Sequence, residues 1–441
     1  MEQRRKNLTQ LFIPICLETL LYMLSGMVDT LMLSSVNDQA VGAVGTANTY
    51  IGIFIIMFSV ISSGMVAVMT QNIGAGRPGV AYQARQLGLV FNAALGVIMS
   101  LFLSLGAGTI LSGVGVADAL MQPAKTYLQI VGGFCILNAL IPICSSYLRA
   151  FGFSKEPLYA SIIGNVINFC LNAFFLFVLH KGVAGVATAT VISCIINLVI
   201  VVLLGAVLVK AKQHPERESN RAVMGQIIRI GLPSACETAI YNVSMTLVIR
   251  FLNQMDAQGL NVTARSYTMQ ITNFSYCVGA ALAQANAIMT GWHIGAKEYD
   301  ACDRGTKKAA VIGVLVAVIL ETVFTLCSGW IMQLFSKDPQ MVSLVGKLLA
   351  IDIVLEIGRV TNLVYGQALK TSGDAVFPVV MGACFMILCS VGGTYLFGIR
   401  LGLLAVGAYI GMTGDECVRA VGMYLRWKSG KWKEKGLVKS R

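Results

Sequence analysis

The stretch IPICLETLLY at residues 13–22 returns in the second half of the chain as LPSACETAIY at residues 232–241. The two copies share a proline, a glutamate, a threonine and a tyrosine at a constant offset of 219: Pro14, Glu18, Thr19 and Tyr22 match Pro233, Glu237, Thr238 and Tyr241. A proline and an acidic residue are uncommon inside apolar segments, so their repetition at fixed spacing indicates a duplicated unit.

Two further segments repeat in the same order. MTQNIGAG (69–76) resembles MTGWHIGAK (289–297), and LRAFGFSKEP (148–157) resembles LKTSGDAVFP (369–378), at offsets of 220 to 221. Glycine and proline that merely punctuate loops would not keep this order and offset. The longest polar connection, residues 210–228, lies between the copies.

We therefore divide the chain at that polar connection. The predicted parts are an N-lobe at 1–209, a cytoplasmic connection at 210–228, a C-lobe at 229–426 and a basic cytoplasmic tail at 427–441. Six helices in each lobe would make the two copies enter the membrane from the same side. Two such lobes typically enclose a central site and rock about it.

The composition places both lobes in a membrane. Hydrophobic residues make up 56% of the 441 residues and charged residues only 12%, about half of what soluble proteins carry. Twelve apolar stretches are long enough to span a bilayer: 11–33, 48–72, 86–111, 126–149, 158–179, 184–209, 229–252, 266–291, 309–334, 342–369, 376–397 and 403–426. Spans of this length are helices rather than barrel strands. We predict an all-α integral membrane protein with twelve transmembrane helices in two pseudo-symmetric six-helix lobes.

The basic residues predict the orientation of the chain. The formal net charge is +12, and 25 of the 33 Lys and Arg residues fall on one side when both termini are placed in the cytoplasm. An excess of Lys and Arg in cytoplasmic loops is the usual topological signal. The positive charge then has a topological role, and we expect no nucleic-acid partner.

Cysteine and histidine usage argues against an enzyme. The 12 cysteines include no C-x-x-C pair, and most lie inside apolar runs, which suits small buried side chains better than a disulfide or zinc framework. The three histidines fall in polar connections, so a zinc site or a Ser-His-Asp triad has few residues to use. We expect no catalytic residues, and the two-lobed repeat does not favour a channel.

The ordered motifs resemble one known family over essentially the whole chain. P-x3-E-x10-D in the first helix, QNIGAG (71–76), LRAFG (148–152), LEIGRVTN (355–362) and LKTSGD (369–374) are similar to segments of the bacterial multidrug and toxic compound extrusion (MATE) transporters. The resemblance implies a monomeric secondary active antiporter in the bacterial plasma (inner) membrane, surrounded by lipid. It would export small organic, often cationic, drugs or metabolites in exchange for Na+ or H+, with no other cofactor.

Two acids in the first helix are candidates for ion coupling, because an ionisable residue within a span is costly. Asp29 and Glu18 are 11 residues apart, so they share one helix face. By the resemblance, an N-lobe cation site is expected at Asp29, Asn168, Asn172 and Thr190. Asn172 stands where the family often has Asp. One carboxylate fewer weakens the case for Na+ at Asp29 and favours a proton there; for the amides and hydroxyls, interhelical hydrogen bonding is the structural alternative.

A second group of charged residues is expected in the C-lobe. Asp352, Glu356 and Arg359 form one stripe at i, i+4 and i+7, and Glu356 is expected to pair with Arg359. With Glu237 and with Asp415 in the last helix, Glu356 and Arg359 form a candidate proton or substrate site. The alternative is a charge-neutral clamp between helices.

One rival function stays open at this point. A flippase of the same superfamily, moving a lipid-linked precursor, would share the helices and the rocking lobes. Such a protein usually needs a cationic cavity for a pyrophosphate, whereas the intramembrane charges here are mostly acids. The 20 methionines and several aromatic side chains could line an adaptable drug cavity.

Overall fold

Every regular element of the described chain is a helix. The structure is a computed structural model that describes residues 6–35, 38–113, 116, 118–210, 214–256, 259–333 and 335–438. The first seven helices are α1 (Leu8–Ser34), α2 (Asp38–Gly74), α3 (Pro78–Gly113), α4 (Asp118–Gly133), α5 (Ile136–Ala150), α6 (Lys155–Ala173) and α7 (Gly182–Leu208). The other seven are α8 (Asn220–Met255), α9 (Leu260–Gly295), α10 (Tyr299–Leu326), α11 (Ser328–Met332), α12 (Pro339–Ser372), α13 (Val376–Phe385) and α14 (Leu404–Lys428).

These helices form twelve long segments. α4 and α5 are one segment bent by 43° at a short break. α6 continues as a π-helix over Phe174–Val178, and α13 continues through π-helical turns to Arg400, while α11 is only 5 residues long. The predicted all-helical membrane protein with twelve spans, six per repeat, is confirmed.

The segments differ in how apolar they are. By length and composition, seven of the described helices qualify as membrane spans, and an eighth does if the bent pair counts as one. The other four long helices are α8, α9, α12 and α14. These four helices carry charged or polar side chains. Ionisable residues buried within a membrane protein often have a function, so we look for functional sites on these helices.

The chain folds into two compact units, Met1–Gly231 and Leu232–Arg441. The connection predicted at 210–228 includes the first turns of α8, which begins at Asn220. Of the predicted connection and tail, residues 211–213 and 439–441 lie outside the described residues.

Backbone conformation repeats between the two units. Gly152 and Gly373, which match at an offset of 221, both have φ in the left-handed region, at 85° and 99°. Gly182 and Gly402 also match, at 54° and 70°. Left-handed φ is where glycine is favoured, so the matched glycines mark equivalent turns between equivalent helices.

The ends of α12 show how local sequence fixes one of these segments. The carboxylate of Asp338 accepts a hydrogen bond of 3.0 Å from the backbone N–H of Gln340, and Pro339 follows the cap, as is common at helix starts. At the other end, Gly373 terminates the helix. A side chain at Gly373 would also meet the carbonyl oxygen of Lys435, at 2.3 Å from its Cβ.

The basic tail is therefore packed on its own unit rather than separate from it. Trp432 is 1% exposed and stacks on Trp427, with ring centroids 4.1 Å apart. Its indole N–H donates to the Trp427 carbonyl at 2.9 Å, and the Trp427 indole donates to Asp303 of α10 at 2.9 Å. The described part of the tail is thus an ordered component of the second unit.

The cysteines differ in burial, so the expectation of buried side chains holds for only some of them: four are buried (Cys135, Cys144, Cys277 and Cys302) and four are exposed (Cys170, Cys236, Cys327 and Cys384). All 12 are free thiols. The described residues contain no disulfide.

Candidate ion-coupling sites

The first candidate site lies in the first unit, where α1 packs against α6. The half-buried carboxylate of Asp29 accepts a hydrogen bond of 2.7 Å from the side-chain amide of Asn172. The same amide donates to the Asn168 side-chain oxygen at 3.1 Å, one turn earlier in α6. The i, i+4 spacing of the two asparagines on α6 and the late position of Asp29 on α1 bring these three residues together.

One oxygen at this site has no donor. The Asn172 side-chain oxygen is buried, and no described residue donates a hydrogen bond to it. A buried amide oxygen without a donor is an unsatisfied polar group. Together, this oxygen and the Asp29 carboxylate are ligands that suit a hard cation such as Na+.

Thr190 also comes from the predicted set. Its hydroxyl donates to the carbonyl of Val186 in its own helix at 2.9 Å. That bond leaves the hydroxyl lone pairs as acceptors. The structure therefore gives Thr190 a local partner, and its role as a ligand stays a prediction.

Two residues that the sequence analysis did not single out adjoin this site. Tyr127 of α4 and Cys194 of α7 lie close enough to Asp29 to interact electrostatically with it. Tyr127 is 5% exposed and belongs to the apolar core of the first unit. An isolated tyrosine in an amphipathic helix carries no spacing signal, so only the packing reveals it.

Glu18 has a different environment from Asp29. Its carboxylate pairs with Arg149 of α5 at 2.6 Å, and both side chains are largely buried. Glu237, at the matching position of the second repeat, pairs with Lys370 of α12 at 2.6 Å. The repeat thus keeps one ion pair between equivalent helices, since Arg149 and Lys370 also match at an offset of 221.

The second candidate site is a charged cavity of about 210 Å³ within the second unit. Asp352, Arg359, Asp415 and Glu416 line it, together with aromatic and methionine side chains and Arg265. This volume is below the roughly 300–1,000 Å³ of pockets for drug-sized ligands. The cavity as it stands suits water or an ion.

Ion pairs organise the cavity wall. Glu356 and Arg359 form the ion pair that their spacing on α12 predicts. On α14, Arg419 pairs with Asp415 at 2.8 Å and with Glu416 at 2.9 Å. Asp415 also accepts from the Ser390 hydroxyl at 3.0 Å.

The predicted C-lobe set is therefore only partly brought together. Glu356, Arg359 and Asp415 lie in one cluster, whereas Glu237 is held by Lys370 and is not among the described residues lining the cavity. The sequence analysis missed Glu321 of α10, a fully buried acid whose carboxylate approaches Asp352 and Glu356. Its signal was available, because Glu321 is an acid within a predicted span.

Comparison with known proteins finds one family over most of the chain. The MatE family model matches residues 14–174 and 233–396. An uncharacterised transporter of Bacillus subtilis, YisQ, is 33% identical over 96% of this chain and 94% of its own length. A probable multidrug resistance protein NorM of Thermotoga maritima is 23% identical over 98% and 94%.

A solved structure agrees in fold. A crystal structure of a MATE protein in the straight conformation superposes with a TM-score of 0.88 at 19% identity, covering 97% of this chain and 96% of that one. At that identity the likeness shows the fold alone. The family match over both repeats, with the 33% identical transporter, shows more: the chain belongs to the MATE family of membrane transporters.

Proposed function

We propose that the protein is a secondary active antiporter that exports small organic, often cationic, compounds in exchange for Na+ or H+. The observation that carries the proposal is the Asp29 carboxylate, held by Asn172 beside a buried amide oxygen that lacks a donor. A group that binds the coupling ion must bind it reversibly. A half-buried carboxylate with an adaptable amide neighbour meets that requirement.

The residues around Asp29 fit a cation. The carboxylate supplies the charge, and the Asn172 oxygen would supply a neutral ligand once the amide rotates from the orientation in which its N–H groups donate to Asp29 and Asn168. A bound Na+ would supply no chemistry beyond its charge. Alternatively a proton on the Asp29 carboxylate would neutralise the same charge, since both ions compete for one negative group.

Family membership supports the coarse part of the localisation. The protein is a multi-pass membrane protein, and we place it in a bacterial plasma (inner) membrane with both termini in the cytoplasm. The relatives from Bacillus subtilis and Thermotoga maritima support a bacterial setting, and the distribution of Lys and Arg supports the orientation.

The test is efflux by the full chain in a bacterial strain that lacks its own drug pumps. We expect Asp29→Asn to abolish export of ethidium and norfloxacin while the protein still reaches the membrane. The matched control is Asp300→Asn, which neutralises an exposed acid at the start of α10 and should export like wild type. Full efflux by Asp29→Asn would remove Asp29 from the mechanism.

The coupling ion is separated from the substrate in membrane vesicles. A Na+ gradient and a proton gradient are imposed one at a time, and drug movement is followed. Movement under one gradient identifies the coupling ion. If neither gradient drives any drug, the antiporter proposal fails and the lipid-linked precursor flippase becomes the better hypothesis.

A further inference from the structure

One arginine in the wall of the second unit's cavity has no acidic partner. Arg265 of α9 is 7% exposed and lines the cavity of about 210 Å³. Arg359 lines the same cavity and pairs with Glu356, whereas Arg265 forms no ion pair with any described residue. A buried charge without a partner costs free energy, so the proposed function leaves this side chain unexplained.

The guanidinium of Arg265 also has few hydrogen-bond acceptors around it. A guanidinium carries several N–H donors and no acceptor. Among the described residues, Arg265 donates only to the thioether sulfur of Met245, at 3.7 Å. Sulfur is a weak acceptor, and the buried Nε of Arg265 has no described acceptor. Most of its donors are therefore available to an anionic group in the cavity.

The acids of the cavity wall lie away from Arg265. Asp415 and Glu416 pair with Arg419 of their own helix. Asp352 lines the cavity too, and one of its carboxylate oxygens has no described donor, so it does not pair with Arg265 either. The cavity wall therefore presents one positive charge that is separate from its negative charges.

The immediate surroundings of Arg265 are uncharged. Tyr409 of α14 is 2% exposed and lies close enough to Arg265 to interact electrostatically with it. Three methionines line the same cavity: Met245, Met269 and Met412. Attraction between opposite charges is stronger in a buried site than at the surface. Methionine side chains are flexible, so the wall can adapt to whatever is attached to the anionic group.

Helix packing does not require an arginine at this position. At the offset of 221 that relates the repeats, the residue equivalent to Arg265 is Val44. Val44 packs against the apolar core of the first unit, so an uncharged side chain fills the equivalent place there. Because a charge within a span is costly, the arginine of the second unit indicates a function.

The chemistry of Arg265 favours a carboxylate as its partner. The planar fork of a guanidinium binds a carboxylate through a pair of parallel hydrogen bonds. A single arginine balances a group with one negative charge, whereas a phosphate dianion would need further positive charge beside it. The cavity of about 210 Å³ is smaller than the roughly 300–1,000 Å³ that drug-sized ligands occupy, so it would hold the carboxylate end of such a ligand.

We propose that Arg265 binds a carboxylate of the exported compound and thereby determines substrate specificity. The preferred substrates are small organic compounds that carry a carboxylate, including zwitterions that also carry an amine. The inference rests on the proposed export of small organic compounds, and it does not depend on which ion drives that export.

The experiment compares norfloxacin, which carries a carboxylate, with its ethyl ester, in which that charge is removed. Both compounds are fluorescent, so fluorescence anisotropy measures their binding to the purified full-length protein in detergent. We expect wild type to bind norfloxacin at least about tenfold more tightly than the ester, because the ester loses a hydrogen-bonded charge. Arg265→Gln should remove most of that preference.

Two further variants control the comparison. Arg265→Lys keeps the charge without the planar fork and should show an intermediate preference. Arg304→Gln removes an exposed arginine of α10 and should keep the wild-type preference, and thermal unfolding reports whether each variant is folded. Equal weakening of both compounds by Arg265→Gln would show a structural role and overturn the inference. A wild-type protein that binds norfloxacin no better than the ester would overturn it as well.

Failure of this inference is distinct from failure of the antiporter proposal. Drug movement under an ion gradient, without any preference for norfloxacin over its ester, supports the antiporter and overturns the role of Arg265. If neither gradient drives any drug but norfloxacin binding depends on Arg265, the antiporter proposal fails and the carboxylate site stands. The two measurements use different readouts, transport into or out of vesicles and binding to purified protein.

Discussion

At Asn172 a single side chain sets the charge of the Asp29 site. Asn172→Asp places a second carboxylate beside Asp29, where the amide now donates at 2.7 Å. Two carboxylates attract a cation more strongly than one, so the Na+ concentration needed for half-maximal efflux should fall. Asn172→Ala removes the amide oxygen and should raise the Na+ concentration needed for half-maximal efflux. Equal Na+ dependence in wild type and both variants would show that Asn172 is not a ligand.

The ion pair between Glu237 and Lys370 makes a second prediction at the scale of one residue. Glu237→Gln leaves the largely buried Lys370 without its acid, which should cost about 3 kcal/mol and lower the melting temperature in detergent. Lys370→Gln in the same chain removes the orphaned charge and should restore much of the loss. A double variant no more stable than Glu237→Gln would show that the two residues are not energetically coupled.

At the scale of the element, α8 and α2 cross closely near their glycines. A Cβ on Gly231 would lie 1.7 Å from the carbonyl oxygen of Val60, and a Cβ on Gly64 would lie 2.0 Å from that of Ile227. Gly231→Ala therefore forces the helices apart and should destabilise the protein by about 1–3 kcal/mol. The melting temperature in detergent measures the loss.

Gly225 offers the matched control on the same helix. A Cβ there meets nothing within 4 Å, and alanine is favoured over glycine in a helix by up to about 1 kcal/mol. Gly225→Ala should therefore keep or raise the melting temperature. If Gly225→Ala and Gly231→Ala behaved alike, backbone flexibility rather than the close crossing would explain both.

Helix number was predictable from the sequence, whereas helix boundaries were not. Long apolar runs identify a span whatever it packs against, because the bilayer sets its length. The start of α8 at Asn220 was missed because residues 220–228 are polar enough to resemble a linker. Ile227 and Gly231 nevertheless pack against α2, and that contact cannot be inferred from local composition.

The contacts at the candidate sites also differ in whether the sequence predicts them. Pairs on one helix, such as Glu356 with Arg359, follow from spacing alone. Partners on different helices are set by how the helices pack. The ion pair between Glu18 and Arg149 and the approach of Glu321 to Asp352 could therefore not be predicted from the sequence. The repeat offered a signal for one such contact. It matches Glu18 with Glu237 and Arg149 with Lys370, so an acid and a base recur together in both halves.

At the scale of the whole molecule, the distribution of charge predicts topology. Green fluorescent protein fused after Arg441 should fluoresce, because we place that end in the cytoplasm. Alkaline phosphatase inserted in the loop between α8 and α9 should be active, because an odd number of spans separates that loop from the N-terminus. An active phosphatase at the C-terminus would contradict the orientation.

The packed tail has an optical consequence. Trp427 and Trp432 stack with their ring planes 9° apart, and two indoles in such contact couple their electronic transitions. Circular dichroism should therefore carry an exciton signal that Trp432→Phe removes, although the chain has only 4 tryptophans. Loss of that signal during transport would report undocking of the tail without any attached label.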